Sequence, residues 1–246
     1  MYKPKNYENK LHLAHQGQIF QPQLTVVCWN VAKLTHTVSC ANLLNHWLDR
    51  SASNLVLFQE SRYQPEMVEP YCDLSWVFSA NIETPRQHFG VQTLFDWQCD
   101  QSTGLITQRQ ELGLATHKTT LFTTHALAGG EPLLCANIHA INFVPNAYFY
   151  SEIARVLEQI KHHTGPILVG GDFNTWNAAR VRFIEQQMAL AGLQAVEHRE
   201  PHFIKRFGRH RLDHLFYRGL TLEDAWVVNT ARVSDHNPLI ARFGVE

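Results

Sequence analysis

Asp172 and Asn174 stand two residues apart at the end of the apolar run Ile167-Leu168-Val169-Gly170-Gly171. Strand side chains alternate faces, so the acid and the amide are expected to point the same way while Phe173 returns to the core. A carboxylate held there could take a proton from water, and an amide beside it could orient that water. The paired glycines admit close approach of backbone or ligand. Alone, the segment reads better as a strand end closed by an Asx turn. Its companions change that reading. Leu24 to Trp29 runs into Asn30, Asn54 to Gln59 runs into Glu60, and Leu133 to Ile138 runs into His139, with Asn142 following. Arg211 to Tyr217 carries Asp213, and Ser234 to Pro238 carries Asp235 and His236. Ends of buried strands in α/β layers are where ligands and catalytic groups collect. Carboxylates, amides and imidazoles at so many of them point to one assembled site.

In this order, Trp29-Asn30, Gln59-Glu60, Asn137-Ile138-His139, Gly171-Asp172-Phe173-Asn174, Arg211-Leu212-Asp213 and Ser234-Asp235-His236 resemble the motifs of the endonuclease/exonuclease/phosphatase superfamily. The resemblance is to small, single-domain bacterial members and runs from about Leu24 to Phe243. It implies an α/β chain in a four-layer DNase I-like sandwich, two packed mixed β-sheets flanked by helices. It also implies a Mg²⁺-dependent phosphoric ester hydrolase, with Mn²⁺ as an alternative cation. By its own chemistry Glu60 is a hard oxygen ligand, and Mg²⁺ binds one or two carboxylates while keeping several waters. A surface ion pair is the competing reading. By resemblance, Asn30 and Glu60 are metal-side residues and Asp235 completes the site. Asp172 looks like the group that orients and deprotonates the attacking water, with Asn174 holding that water or the phosphoryl oxygens. His139 and His236 would face the non-bridging oxygens, where charge develops. Asp213 is similar to the family acid that bonds the second histidine and favours its imidazolium form. No partner acid for His139 is identifiable.

Most of the fifteen histidines carry no such signal. His162 and His163 fall near a helix end, and His12, His15, His36 and His46 have no motif around them. His214 alternates to the face opposite Asp213.

The elements that must position these groups are legible as periodicities. Phe149, Ile153, Val156, Leu157 and Ile160 mark an amphipathic helix leading into the strand of Asp172. Val181, Ile184 and Met188 mark another that ends near Gly192, and Val38 to Leu48 marks a shorter one. Further strands are expected at Trp76 to Phe78, Leu105 to Thr107, Lys118 to Phe122, Ala225 to Val228 and Leu239 to Phe243.

Hydrophobic residues make up 45% of the 246 residues and charged ones 17%, enough for a substantial core and unlike a disordered chain. We expect an N-terminal extension over 1–23 and a single domain over 24–246, since no linker-like segment divides the chain. No apolar run reaches the roughly 18 residues of a membrane span, and the polar first 23 residues lack the apolar stretch of a signal peptide. A cytoplasmic location is therefore expected. Five cysteines without a C-x-x-C spacing argue against a disulfide framework or a zinc site. Cys28 and Cys135 read as packing residues.

The formal net charge of −1 provides no global field to draw in long nucleic acid. Locally, Arg199, Lys205, Arg206, Arg209 and Arg211 crowd the segment before Asp213, and Arg180 and Arg182 follow the Asp172 loop. Asn142, Arg180, Arg206, Arg209 and Arg211 are accordingly candidate substrate-binding residues, a solvated loop being the alternative for the basic run. Trp97, Trp176 and Phe89 are candidates to stack on a base. The expected function is hydrolysis of a phosphodiester by in-line attack of activated water, with nucleic acid among the candidate substrates. Alternatives are a monoesterase or diesterase acting on a small phosphorylated metabolite or lipid headgroup, or a silent phosphate-binding module. Nothing in the sequence calls for an obligate protein partner.

Overall fold

The computed structural model describes residues 9–35, 37–65, 73–113, 116–128, 130–230 and 233–245. His36, Cys72 and residues 1–8 of the expected extension lie outside them. In chain order the first half holds β1 (Lys10–His12), β2 (Gln23–Asn30), α1 (Val38–Trp47), β3 (Ser53–Tyr63), β4 (Ser75–Glu83), β5 (His88–Phe95), β6 (Cys99–Ile106) and β7 (Thr119–His125). The second half holds β8 (Leu133–His139), α2 (Asn146–Ile160), β9 (Ile167–Asp172), α3 (Ala178–Leu190), β10 (Gln194–Ala195), β11 (Arg206–Phe207), β12 (His210–Arg211), β13 (Asp213–Arg218), β14 (Thr221–Val227) and β15 (Leu239–Gly244).

β2 shows why two sheets form. Its residues are buried on both faces: Leu24, Val26 and Cys28 pack between the sheets, while Val27 and Trp29 pack under α1 with Leu44 and Trp47. A strand buried on both sides reads as a continuous apolar run and must be covered on both faces, here by α1 on one and the second sheet on the other. One sheet has the order β1-β4-β5-β3-β2-β15-β14 and the other β10-β13-β9-β8-β7-β6. On the outer face of the second sheet, Ile138 and Val169 meet Phe149 and Ile153 of α2 and Ile184 and Met188 of α3. The α/β four-layer sandwich expected from the sequence is what is found. α1 and α3 begin at Thr37 and Asn177, whose side chains accept from the amides of Cys40 and Arg180; each such cap stabilises by about 1 kcal/mol.

Of the 1–23 segment, residues 9–23 are described. β1 pairs with β4, and Phe20 packs in the core between the sheets. β5 has no counterpart among the expected strands; the polar Gln92 and Thr93 interrupt its apolar pattern, yet both are fully buried, Gln92 accepting from Ser61 of its own sheet and Thr93 from Asn137 of the other. Cys28, Cys40, Cys99 and Cys135 are buried free thiols. Among the described residues no helix is long and apolar enough to cross a membrane.

Each sheet contains one central parallel pair, β2 with β3 and β8 with β9. Asn30 is opposite Gln59 in the first pair, and His139 is opposite Asp172 in the second. Parallel strands end at the same edge, so both pairs deliver their last residues to one rim of the sandwich. A buried polar bridge sets the two sheets in register: Gln59 Nε2 donates to Asn137 Oδ1 at 2.8 Å, and Asn137 Nδ2 donates to the carbonyls of Phe58 and Gln92.

Candidate active site

Asp172 occupies the centre of that rim. It lies opposite His139 on β8 and Asp213 on β13, so three candidate site residues stand in one row across adjacent strands. Close packing of these strands depends on Gly171, whose φ of +148° and contact with the Ile138 carbonyl leave no space for a Cβ. The next residue but one does not continue the alternation. Asn174 has left the strand with φ +51°, its backbone amide donating to Asp172 Oδ1 at 2.9 Å and its Nδ2 donating to the Ala140 carbonyl at 2.9 Å. The Asx turn and the reactive edge are therefore the same structure. Phe173 is buried, as expected, edge-on to Phe216.

The other oxygen of Asp172 faces three polar groups. Asn30 Nδ2 donates to Oδ2 at 3.1 Å, His139 Nε2 lies 3.7 Å away and His236 Nε2 4.0 Å away. Burial, and then the charge of Asp213, raise the Asp172 pKa to about 6. Asp213 in turn accepts from His236 Nδ1 through both oxygens, at 3.0 and 2.8 Å. Burial lowers the affinity of His236 for a proton, but Asp213 outweighs it and brings the pKa to about 9. The loop carrying His236 is pinned to the end of β2: Trp29 Nε1 donates to the His236 carbonyl at 2.9 Å and Ser234 Oγ to the Asn30 carbonyl at 2.7 Å. This is the structural role of the Trp29-Asn30 pair.

The two histidines differ in charge. Burial, and then the positive charge of Lys118, hold His139 well below the usual histidine range. Lys118 Nζ lies 3.0 Å from His139 Nε2 and 3.7 Å from Glu111 Oε2. Glu111, raised by burial, accepts from the Asn142 amide at 2.7 Å. Neither Lys118 nor Glu111 was singled out in the sequence. The available signal was a lysine opening an otherwise apolar strand segment.

These groups line a cleft of about 470 Å³ that also presents Lys33, Glu60, Phe89, Phe143, Lys205 and Asp235. Lys33, Glu60, Phe143 and Asn174 all have φ between +47° and +69°. Backbone strain of about 1–3 kcal/mol per residue persists only where surrounding structure enforces it, and it concentrates at functional sites. Glu60 is in this state because β3 bulges between Phe58 and Ser61.

The donor set on the Glu60 side suits a hard divalent cation. Among the described residues, the Glu60 carboxylate has one loose partner, Lys33 at 3.8 Å, and the Asn30 amide oxygen accepts only from the Ala32 amide, leaving a lone pair. Asp172, Asp213 and His236 also bring ligand atoms within 4.8 Å of one another. There, however, the Asp213 oxygens and His236 Nδ1 are committed to each other. Asp235 faces the cleft but is exposed and ion-paired to Lys205 at 2.8 Å.

The expected substrate-binding residues separate. Asn142 reaches the cleft. Arg180 does not: it is fully buried, and its guanidinium donates to the carbonyls of Asn174, Ile141 and Val144 while lying 4.2 Å from the Phe149 ring centroid. It holds the Asn174 loop from behind, because that turn leaves carbonyls pointing inward with no strand partner. Arg206, Arg209 and Arg211 line a different cavity on the far side of Asp213. Of the stacking candidates, Phe89 lines the cleft; Trp97 is core, packed on Phe20, and Trp176 lies 4.7 Å from the Arg180 guanidinium. His214 turns away from His236 and bonds Thr175 Oγ1 at 2.7 Å.

A charged histidine–aspartate pair, a buried carboxylate of raised pKa and a carboxylate-bearing cleft thus meet at one rim of a two-sheet sandwich. The chain belongs to the endonuclease/exonuclease/phosphatase family, whose model matches residues 27–236. It is similar to the UPF0294 protein of Erwinia tasmaniensis, with 33% identity over 245 residues covering 95% of this chain and 88% of that one. Its fold is similar to that of the human Nocturnin catalytic domain with bound sulfate, at TM-score 0.65 and 18% identity, covering 93% of this chain and 97% of the other. It is also similar to D. rerio TDP2 complexed with single strand DNA product, at TM-score 0.61 and 15% identity, covering 91% and 100%.

Proposed function

We propose that the chain hydrolyses phosphodiesters by in-line attack of water, with a Mg²⁺ or Mn²⁺ ion held by Glu60 and Asn30. The observation that carries this reading is the convergence of Asn30, His139 and His236 on one oxygen of Asp172. With its pKa near 6, Asp172 is ionised at neutral pH yet still basic enough to accept a proton from water, the balance general-base catalysis requires. Asn30 and the Asn174 amide fix its two oxygens, so the proton acceptor is oriented before water arrives. His236, an imidazolium at neutral pH, directs Nε2–H at the oxygens that gain negative charge. Neutral His139 and the Lys118 ammonium form the opposite wall. A divalent cation, when bound, polarises the phosphoryl group and offsets the charge that develops on it.

Lys33, Lys118 and Lys205 are the cations on the cleft itself. They suit a phosphate backbone, and Phe89 with the exposed Phe143 suits an unstacked base. The D. rerio TDP2 structure with a single strand DNA product supports nucleic acid as the substrate class. The test is a panel of a diester dye, single- and double-stranded nucleic acid, a phosphoinositide and a phosphomonoester, with Mg²⁺ or Mn²⁺ and with excess chelator. Diester cleavage should vanish on chelation and return with the metal, and Glu60→Ala should need more metal for the same rate. Full activity in chelator, or activity on the monoester alone, overturns the proposal.

A further inference from the structure

The hairpin made by β11 and β12 is a partition between two cavities. Lys205 and Leu212 are joined by a backbone hydrogen bond and face the catalytic cleft. Their neighbours Arg206 and Arg211 are cross-strand partners and line a second cavity of about 330 Å³. Successive strand residues face opposite sides, so the basic run is divided: one cation for the cleft, the arginines for the space behind it.

That space is built in an unusual way. Directly opposed like charges destabilise a strand pair, yet Arg206 and Arg211 are opposed and Arg209 sits on the turn between them. Arg206 is satisfied by the carbonyls of Arg209 and Pro201. The guanidinium groups of Arg209 and Arg211 have no hydrogen-bond or ion-pair partner among the described residues. Glu185 and Glu197 also line the cavity, but neither pairs with an arginine. On the cavity wall His198 is more than nine-tenths buried, and its Nε2 has no partner. Burial keeps the ring neutral and its one N–H bonds the Val196 carbonyl, so Nε2 is a bare acceptor and the cavity's donors are the arginines.

We propose that this cavity is a second, non-catalytic site for a phosphate group, bound by the forks of Arg209 and Arg211. Two guanidinium forks match a tetrahedral oxyanion, and charge-assisted bonds of this kind are about twice as strong as neutral ones. The inference does not rest on the hydrolytic reading, because it concerns binding alone. The phosphate has two conceivable sources, a free phosphorylated small molecule or a phosphate of a chain extending from the cleft around the hairpin.

The experiment is a ¹H–¹⁵N NMR titration of the whole chain, without divalent metal, with inorganic phosphate at constant ionic strength. Amides of residues 198 and 209–211 should shift, and Arg209→Ala with Arg211→Gln should weaken the Kd read from those shifts at least tenfold. Arg209→Ala alone, on an exposed turn, guards against misfolding of the double variant and should weaken it about threefold or more. Adding a short single-stranded oligonucleotide identifies the source: displacement of phosphate from these amides indicates a chain that bridges both cavities, and its persistence indicates a separate small molecule. Shifts confined to His139, Asp172 and His236, or an unchanged Kd in folded variants, overturn the proposal.

Discussion

Lys118 Nζ sits 3.0 Å from His139 Nε2. An ammonium has no lone pair, so it must be the donor and the ring nitrogen the acceptor, which leaves His139 neutral with its proton on Nδ1. The two histidines facing Asp172 therefore do different work: His236 brings charge, and on the opposite wall the charge comes from Lys118. Lys118→Met should lower kcat on a diester dye by about 10²-fold, the cost of losing one preorganised group at developing charge. Steady-state kinetics check this, and an unchanged kcat would mean Lys118 serves only to hold Glu111.

The bidentate contact between Asp213 and His236 makes a double-mutant cycle decisive. Asp213 reaches the cleft through the imidazole it charges and through its own charge beside Asp172. Loss of activity in Asp213→Ala with His236→Ala should be close to that of His236→Ala alone. Additive losses would show that Asp213 acts elsewhere.

Activity should follow a bell-shaped pH profile. Asp172 must be ionised to accept a proton, so kcat/KM should rise with pH through about 6; His236 must be protonated, so it should fall through about 9. A cation held at Glu60 favours the ionised carboxylate and moves the lower limb down, never up. Asp172→Asn should lower kcat by about two to four orders of magnitude and remove that limb. A lower limb that survives the substitution would assign it to another group.

Acid stability should be limited by His125. It is fully buried, its ring packs 4.8 Å from Phe95 and 4.7 Å from Trp97, its Nδ1 has no partner, and burial lowers its pKa to about 3. Unfolded, it takes a proton near its ordinary pKa of about 6.5. The fold is therefore fully stable with respect to this group above about 6.5 and loses up to about 1.4 kcal/mol per pH unit as the pH falls toward 3. Denaturant unfolding between pH 6 and 4 should show a slope shallower by about that amount in His125→Phe. His139, held well below its ordinary value, and His198 and His214, each lowered to about 4, all mainly by burial, add slopes of the same sign.

Strand ends were legible because buried strands must be apolar throughout, so Asn30, Glu60, His139 and Asp172 stand out where the runs stop. Helix positions were legible from periodicity for a similar reason: Phe149, Ile153 and Ile160 recur on the face that meets the sheet. The chemistry of the central groups was therefore a property of the sequence itself. Tertiary structure decided direction and company. Arg180 points inward because the turn after Asp172 leaves carbonyls that need a donor, and Arg206 and Arg211 face away from the cleft because a two-residue hairpin sets which side each residue takes. Lys118 and Glu111 join the site only through the pairing of β7 with β8 and the approach of residues around Asn142, contacts between segments distant in the chain. Local pattern carries no information about such pairings, since it reports which face of an element is buried and not which other element buries it.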